Sequence, residues 1–188
     1  PPCQGMSTLG KKQYYSDARN ELFWYTVEAI NDLKPNFVFI ENVPKFLNMK
    51  FNYEGSNHTF KEILLDKFSD DYNIETDILN AKDYNVPQSR PRAIIKLYKK
   101  RFLWPSPKKN THIITLRESI GDLPSLEAGE HSDLKWHNAL KISQMHKEVM
   151  RHTPEGKSAM TNDVYYPKKK DGTKVKGFHN TYKRMKWD

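Results

Sequence analysis

A chain of 188 residues is long enough to bury a core, and its 31 basic against 23 acidic residues leave a net charge of +8, the balance expected of a protein that meets a polyanion. The single cysteine excludes an internal disulfide and a multi-cysteine zinc site, so the thiol reads as free and the chain as intracellular. No run of about 18 apolar residues exists to cross a bilayer, and no secretory signal opens the chain, so a cytosolic or nuclear protein without a membrane partner is expected.

In chain order, Pro1-Pro2-Cys3-Gln4-Gly5-Met6-Ser7 comes first. Two prolines stiffen the approach to the thiol, and Gly5, Ser7 and Gly10 make a loop-like exit, so Cys3 reads as part of a loop over a site and not as a small core hydrophobe. A thiolate can add to a ring carbon and leave again under mild conditions. The stretch Gly5 to Lys12 comes within one residue of a phosphate-binding P-loop, but Lys12 stands where a magnesium-binding hydroxyl belongs and no strand precedes the glycines. The match is therefore accidental, and Lys11 and Lys12 read as phosphate contacts at a loop tip.

From Ser16 to Leu33 the apolar residues Leu22, Phe23, Val27, Ile30 and Leu33 recur at spacings of three and four, which predicts an amphipathic helix ending before Pro35. Asn36 to Ile40 follows as a buried strand that delivers Glu41 at its C-terminal end, where open α/β sheets place ligands. A carboxyl group there is suited to hold a proton against a ring nitrogen, with Asn42 to steady it; on these residues alone, a cap for the next segment is the preferred reading. Thr59-Phe60-Lys61-Glu62 is a capping box that announces a second helix through Ile63, Leu64 and Phe68.

Tyr72, Ile74, Thr76 and Ile78 alternate with polar residues as a half-buried strand does, and Ala93 to Tyr98 is another β run. Too few residues separate them for a crossover helix, so the two pair as a hairpin, with the last strand antiparallel to a mostly parallel sheet. In the loop between them Arg90 and Arg92 alternate, projecting to one side of an extended segment with Gln88 in line. They form either a solvated basic turn or a fork that grips an oxygen and a phosphate while holding Glu41.

Past Arg101 the pattern changes: Pro105, Pro107 and Lys108-Lys109 mark a linker, which divides the chain into 1–101 and 102–188. In the second region only Asn138 to His152 has helical spacing, through Leu140, Met145 and Val149, before Pro154-Glu155-Gly156 breaks it. The seven histidines show no metal-ligand spacing, and no metal is expected. From Tyr165 to Asp188 lysines interleave with Tyr165, Tyr166, Phe178, Tyr182 and Trp187, a composition that suits either a solvated surface or a nucleic-acid face.

Taken together, Pro2-Cys3-Gln4, Glu41-Asn42-Val43, the run from Leu79-Asn80-Ala81 through Asp83-Tyr84 to Gln88-Ser89-Arg90-Pro91-Arg92, and Leu116-Arg117-Glu118-Ser119-Ile120-Gly121-Asp122-Leu123-Pro124 stand in an order and wording that resembles the cytosine C5-methyltransferases, along essentially the whole chain. The resemblance implies an α/β fold: part of a class I (Rossmann-like) S-adenosylmethionine-dependent methyltransferase sheet, with an irregular second region. Residues 1–101 would be the C-terminal half of the catalytic domain and 102–188 an incomplete target-recognition region.

It also implies that Cys3 attacks C6 of a cytosine rotated out of the duplex, with Glu41 at N3 and Arg90 and Arg92 at O2 and the backbone. Gln4, Ser7, Lys11, Lys12, Asn42 and Gln88 become DNA neighbours, and Pro2 and Leu22 neighbours of S-adenosylmethionine. The family's glycine-rich Phe-x-Gly-x-Gly segment, its acidic ribose-binding residue and its closing asparagine-bearing helix do not occur in these residues. Most of the cofactor would then be bound by residues missing from this chain, which is expected to be a piece of a longer enzyme or half of one completed by a second polypeptide, and to be inactive alone. The expected function is methylation of cytosine C5 in double-stranded DNA, in a bacterial restriction-modification system. Methyltransferases that modify cytosine in tRNA share these motifs, a noncatalytic DNA-binding module is a further alternative, and a cysteine hydrolase would need a histidine base for which no spacing argues.

Overall fold

The computed structural model describes residues 22–162, 164–166, 168–175 and 183–188. They belong to two units, Pro1–Ile113 and Ile114–Asp188, each taken by itself below. The division falls after Ile113 and not at Arg101, because Trp104 packs edge-on against Phe37 and Tyr98, and its carbonyl accepts a hydrogen bond from Lys96 Nζ at 3.0 Å.

In the first unit the three-and-four spacing yields α1 (Leu22–Leu33), which buries Phe23, Val27 and Ile30. The helix stops where Lys34 turns into the left-handed region at φ 44°, its N–H still bonded to the Ile30 carbonyl, directly before Pro35. Next come β1 (Phe37–Asn42), a 3-10 turn over Pro44–Asn48, and a short hairpin of β2 (Lys50–Tyr53) and β3 (Ser56–Thr59). Glu54 and Gly55 join these two strands with φ of 51° and 79°, the paired positive values of a two-residue hairpin turn. This hairpin is an addition to what the sequence pattern predicts.

The predicted capping box is present: Thr59 Oγ1 accepts from the Glu62 N–H, and the Glu62 carboxylate accepts from the Thr59 N–H, which starts α2 (Phe60–Phe68). β4 (Tyr72–Asn80) and β5 (Pro91–Lys99) then pair as the expected antiparallel hairpin. The strand order is β1-β5-β4, and β5 is antiparallel to both neighbours. The described strands therefore do not form the mostly parallel sheet expected. β1 and β4 run in one direction, but the returning strand β5 lies between them and takes every backbone bond of the ladder.

Ile40, Ile95 and Leu97 line one face of the sheet and join the core with Phe23, Val27 and Ile30 of α1, Phe46, Phe51, and Phe60, Ile63, Leu64 and Phe68 of α2. Central β5 is buried from Ala93 to Tyr98, as a strand covered on both faces should be. β1 departs from expectation: its apolar run predicts burial on both faces, yet Phe39 is 59% exposed on the side away from the core.

The second unit holds α3 (Leu116–Ile120), started by a Thr115–Glu118 capping box, and α4 (Gln144–Arg151). α4 begins later than the predicted Asn138, because Ser143 caps it through the His146 N–H while Asn138 and Ala139 bond instead to His131 and Glu130 in a small antiparallel bridge. After α4 the chain reverses at Gly156, φ 71°, whose N–H donates to the Arg184 carbonyl. The Arg117 guanidinium forks onto Asp188 at 2.8 and 3.2 Å and ties the end of the chain to α3.

Candidate functional site

The register of β1 against β5 sets Glu41 opposite Ile94 and Asn42 opposite Ala93. Side chains two apart on a strand share a face, so Arg92 projects beside Ile94 and lies diagonally across from Glu41. Its Nε meets Glu41 Oε1 at 2.7 Å, and its Nη1 donates back to the Pro91 carbonyl at 2.9 Å. Glu41 is 48% and Arg92 23% exposed, so the carboxylate keeps an open side while the guanidinium behind it is fixed.

Asn42 points the other way. It is 2% exposed, and its Oδ1 accepts from the Val43 N–H at 2.8 Å at the entry to the 3-10 turn. The structure thus sets the Glu41 carboxylate against Arg92 and not against Asn42, and places Asn42 in the interior instead of on a surface that could face DNA. The second predicted arginine is also not part of the pair. Arg90 is exposed, forms no ion pair with Glu41, and is held through its backbone N–H by Asn80 Oδ1 at 2.8 Å. Gln88 is exposed in the same loop, its N–H turned onto the Val86 carbonyl at 2.7 Å. Leu22 stands exposed as the first residue of α1. Cys3, Pro2, Gln4, Ser7, Lys11 and Lys12 lie outside the described residues.

On the same outer face Lys96, its side chain 7% exposed, reaches Glu75 Oε2 at 2.7 Å and the Ser106 hydroxyl at 3.2 Å. Glu75 Oε1 in turn accepts from the Tyr98 hydroxyl at 2.6 Å. These bonds, that from Lys96 first and that from Tyr98 second, hold the Glu75 carboxyl below the usual carboxylate range. A depressed folded-state value means that the group stabilises the fold above the unfolded value of about 4.3 and loses that contribution as pH falls through the folded value. Glu75→Gln is therefore expected to be less stable than the parent at neutral pH, with the two denaturation midpoints converging as the solution is acidified below about pH 4. Parallel midpoints across that range would show the bond to Lys96 to be without effect.

Beside this network a groove of about 430 Å³ runs between Phe39, Ile94, Leu79 and Trp104; Glu41 and Arg92 are not among its lining residues. In the second unit a cavity of about 590 Å³ is lined by Lys147, Arg151, Lys183 and Arg184 over Leu126 and Met150, with Glu127 the one acidic residue among the described residues of its wall. Among the described residues no group of three or more His, Cys, Asp or Glu is placed to hold a metal ion.

Asn80 and the Glu75–Lys96 pair are the polar groups that sequence reasoning missed. Each depends on which residue faces which across β4 and β5, and alternation reveals a side chain's face without revealing its partner.

The model of the C-5 cytosine-specific DNA methylase family matches residues 1–188. The Type II methyltransferase M1.HgaI of Avibacterium volantium is 46% identical over 192 residues, covering 100% of this chain and 54% of that protein. M.DdeI of Desulfomicrobium norvegicum is 36% identical over 143 residues, covering 72% of this chain and 34% of its own. Among solved structures, a DNA modification methyltransferase encoded within an E. coli prophage superimposes with a TM-score of 0.51 at 26% identity, over 82% of this chain and 43% of that one. The chain thus spans about half the length, or less, of these relatives.

Proposed function

Since the chain belongs to the C-5 cytosine-specific DNA methylase family, we propose that the protein as encoded transfers a methyl group to C5 of a cytosine held in a specific sequence of double-stranded DNA, as the modification enzyme of a restriction-modification system. The observation that carries this reading is the ion pair between Glu41 and Arg92, two motif residues distant in sequence that the antiparallel register brings to 2.7 Å.

In this reading the Cys3 thiolate adds to C6 of the extruded base, and Glu41 holds the proton that N3 carries while the ring is saturated. The new C–S bond pushes electrons to C5, which becomes the nucleophile. After methylation C5 gives up its hydrogen as a proton to a base, and the thiolate leaves from C6 to restore the ring. Arg92 keeps the Glu41 carboxylate from swinging away, and exposed Arg90 is free to meet the base oxygen or a phosphate.

S-adenosylmethionine is the family's methyl donor. Of the two residues expected beside it, Leu22 is exposed and Pro2 lies outside the described residues, and we infer that these two do not by themselves compose its site. The rest of that site belongs to other parts of the protein as encoded, or to a second polypeptide. The sheet from α1 to β5 would be part of a class I methyltransferase sheet and the second unit a target-recognition region. We place the protein in the bacterial cytoplasm, where its DNA lies; among the described residues no helix is long and apolar enough to cross a membrane.

The cationic cavity of the second unit fits DNA backbone phosphates, since Lys147 and Lys183 face a space whose described walls are apolar but for Arg151, Arg184, Thr153 and the Glu127 carboxylate. Lys147→Ala and Lys183→Ala are each expected to weaken duplex binding without changing sequence preference, and to reduce the slope of log affinity against log salt by about one. A slope unchanged in both would remove this cavity from the interface.

Duplex DNA with 5-fluorocytosine at the target should trap the protein as a covalent adduct in the presence of the methyl donor, and Cys3→Ser should form none. Methyl transfer to tRNA in place of duplex DNA would overturn the substrate assignment, and an adduct with the serine variant would overturn the nucleophile.

A further inference from the structure

The ladder of β4 and β5 ends at the pair Asn80 and Pro91. One step farther out, the Ala81 N–H donates to the Arg90 carbonyl at 3.2 Å. In a continuing antiparallel ladder the two residues would exchange both bonds, and the Arg90 N–H would go to the Ala81 carbonyl. It goes instead to Asn80 Oδ1, at 2.8 Å. The same oxygen accepts from the Lys82 N–H at 3.4 Å, capping the 3-10 turn Ala81–Tyr84, while Asn80 Nδ2 donates to Ser89 Oγ at 3.3 Å. A single side-chain amide thus stands in for a peptide group of the ladder and joins both ends of the loop.

The loop leads directly into the functional pair. Pro91 has no N–H to bond and a fixed φ, so the direction in which β5 begins is set by what holds Arg90. Arg92 comes next, bonded to the Pro91 carbonyl and to Glu41. We infer that Asn80 is a positioning residue for the arginine loop, setting the exit direction of Arg90 and the placement of Arg92 against Glu41 without itself touching the base. As far as it concerns methyl transfer, this rests on the function proposed above.

The bond lies in an exposed loop, where water can replace a lost partner, so removing it loosens the loop and spares the core. Aspartate retains the oxygen that accepts from Arg90 and Lys82; alanine retains nothing. In the protein as encoded, Asn80→Ala is expected to lower kcat for duplex methylation about tenfold while KM for DNA moves less than about twofold, and Asn80→Asp to recover most of the loss. In the same proteins the Arg90 amide should exchange hydrogen at least about tenfold faster in the alanine variant and near the parent rate in the aspartate variant.

An unchanged kcat or an unchanged Arg90 exchange rate in Asn80→Ala overturns the assignment. So does an equal loss of kcat in both variants that follows a lowered unfolding midpoint, since that is the mark of a structural role alone. If the parent protein transfers no methyl group to DNA, the proposed function fails, and the Arg90 exchange rates still decide whether Asn80 holds the loop.

Discussion

Glu41→Gln is expected to lower methyl transfer by about 10²–10⁴-fold while barely moving the unfolding midpoint. The two effects separate because the site is partly open. An ion pair with one partner 48% and the other 23% exposed contributes between about 0 and 1 kcal/mol to stability, and the glutamine oxygen can still accept from Arg92 Nε at the same place. What the amide cannot do is hold a proton against a ring nitrogen, the task that the proposed mechanism gives Glu41 once the thiolate has added. The loss should therefore fall on kcat more than on KM. Arg92→Ala removes the support and leaves the carboxylate, so it should cost less than Glu41→Gln, and the double variant should be little worse than Glu41→Gln alone because the two act as a unit. Activity within about threefold of the parent in Glu41→Gln would exclude the proton-holding role.

The hairpin of β4 and β5 was legible because a loop of that length admits no crossover helix, and it is the hairpin that places Arg92. The strand before Glu41 was legible from its apolar run, but its environment was not. A run such as Phe37-Val38-Phe39-Ile40 has the same spelling whether or not something covers the outer face, and Phe39 is exposed there among the described residues. Asn42 was misplaced for a different reason. Its chemistry suits a carboxylate neighbour, but alternation along a strand turns consecutive side chains to opposite faces, and that simple rule outweighs residue type. Leu140 fits helical spacing yet lies outside α4, since a capping serine at Ser143 fixes the first turn more firmly than periodicity does. The β2–β3 hairpin stayed hidden because Glu54-Gly55 is a weaker turn signal than Asn-Gly and each strand has only four residues.

Phe60→Ala is expected to be the most destabilising single change, by about 3–5 kcal/mol in denaturant unfolding of the chain. Phe60 is fully buried at the first position of α2, and its ring stands edge-on to Phe23 of α1 at 5.3 Å, Phe46 of the 3-10 turn at 5.2 Å and Phe51 of β2 at 6.4 Å. The space it leaves cannot close easily, because the Thr59–Glu62 capping box holds the start of α2 in place. Phe39→Ala removes the same ring from an exposed position and should cost less than about 1 kcal/mol, so near-equal losses for the two would show that the aromatic cluster is not the core. The same comparison separates fold from chemistry at the site. The cluster under Ile40 and Ile95 supports the two strands that carry Glu41 and Arg92, so activity in Phe60→Ala should fall together with the folded fraction and return on cooling, whereas in Glu41→Gln it should be lost at every temperature at which the protein is fully folded.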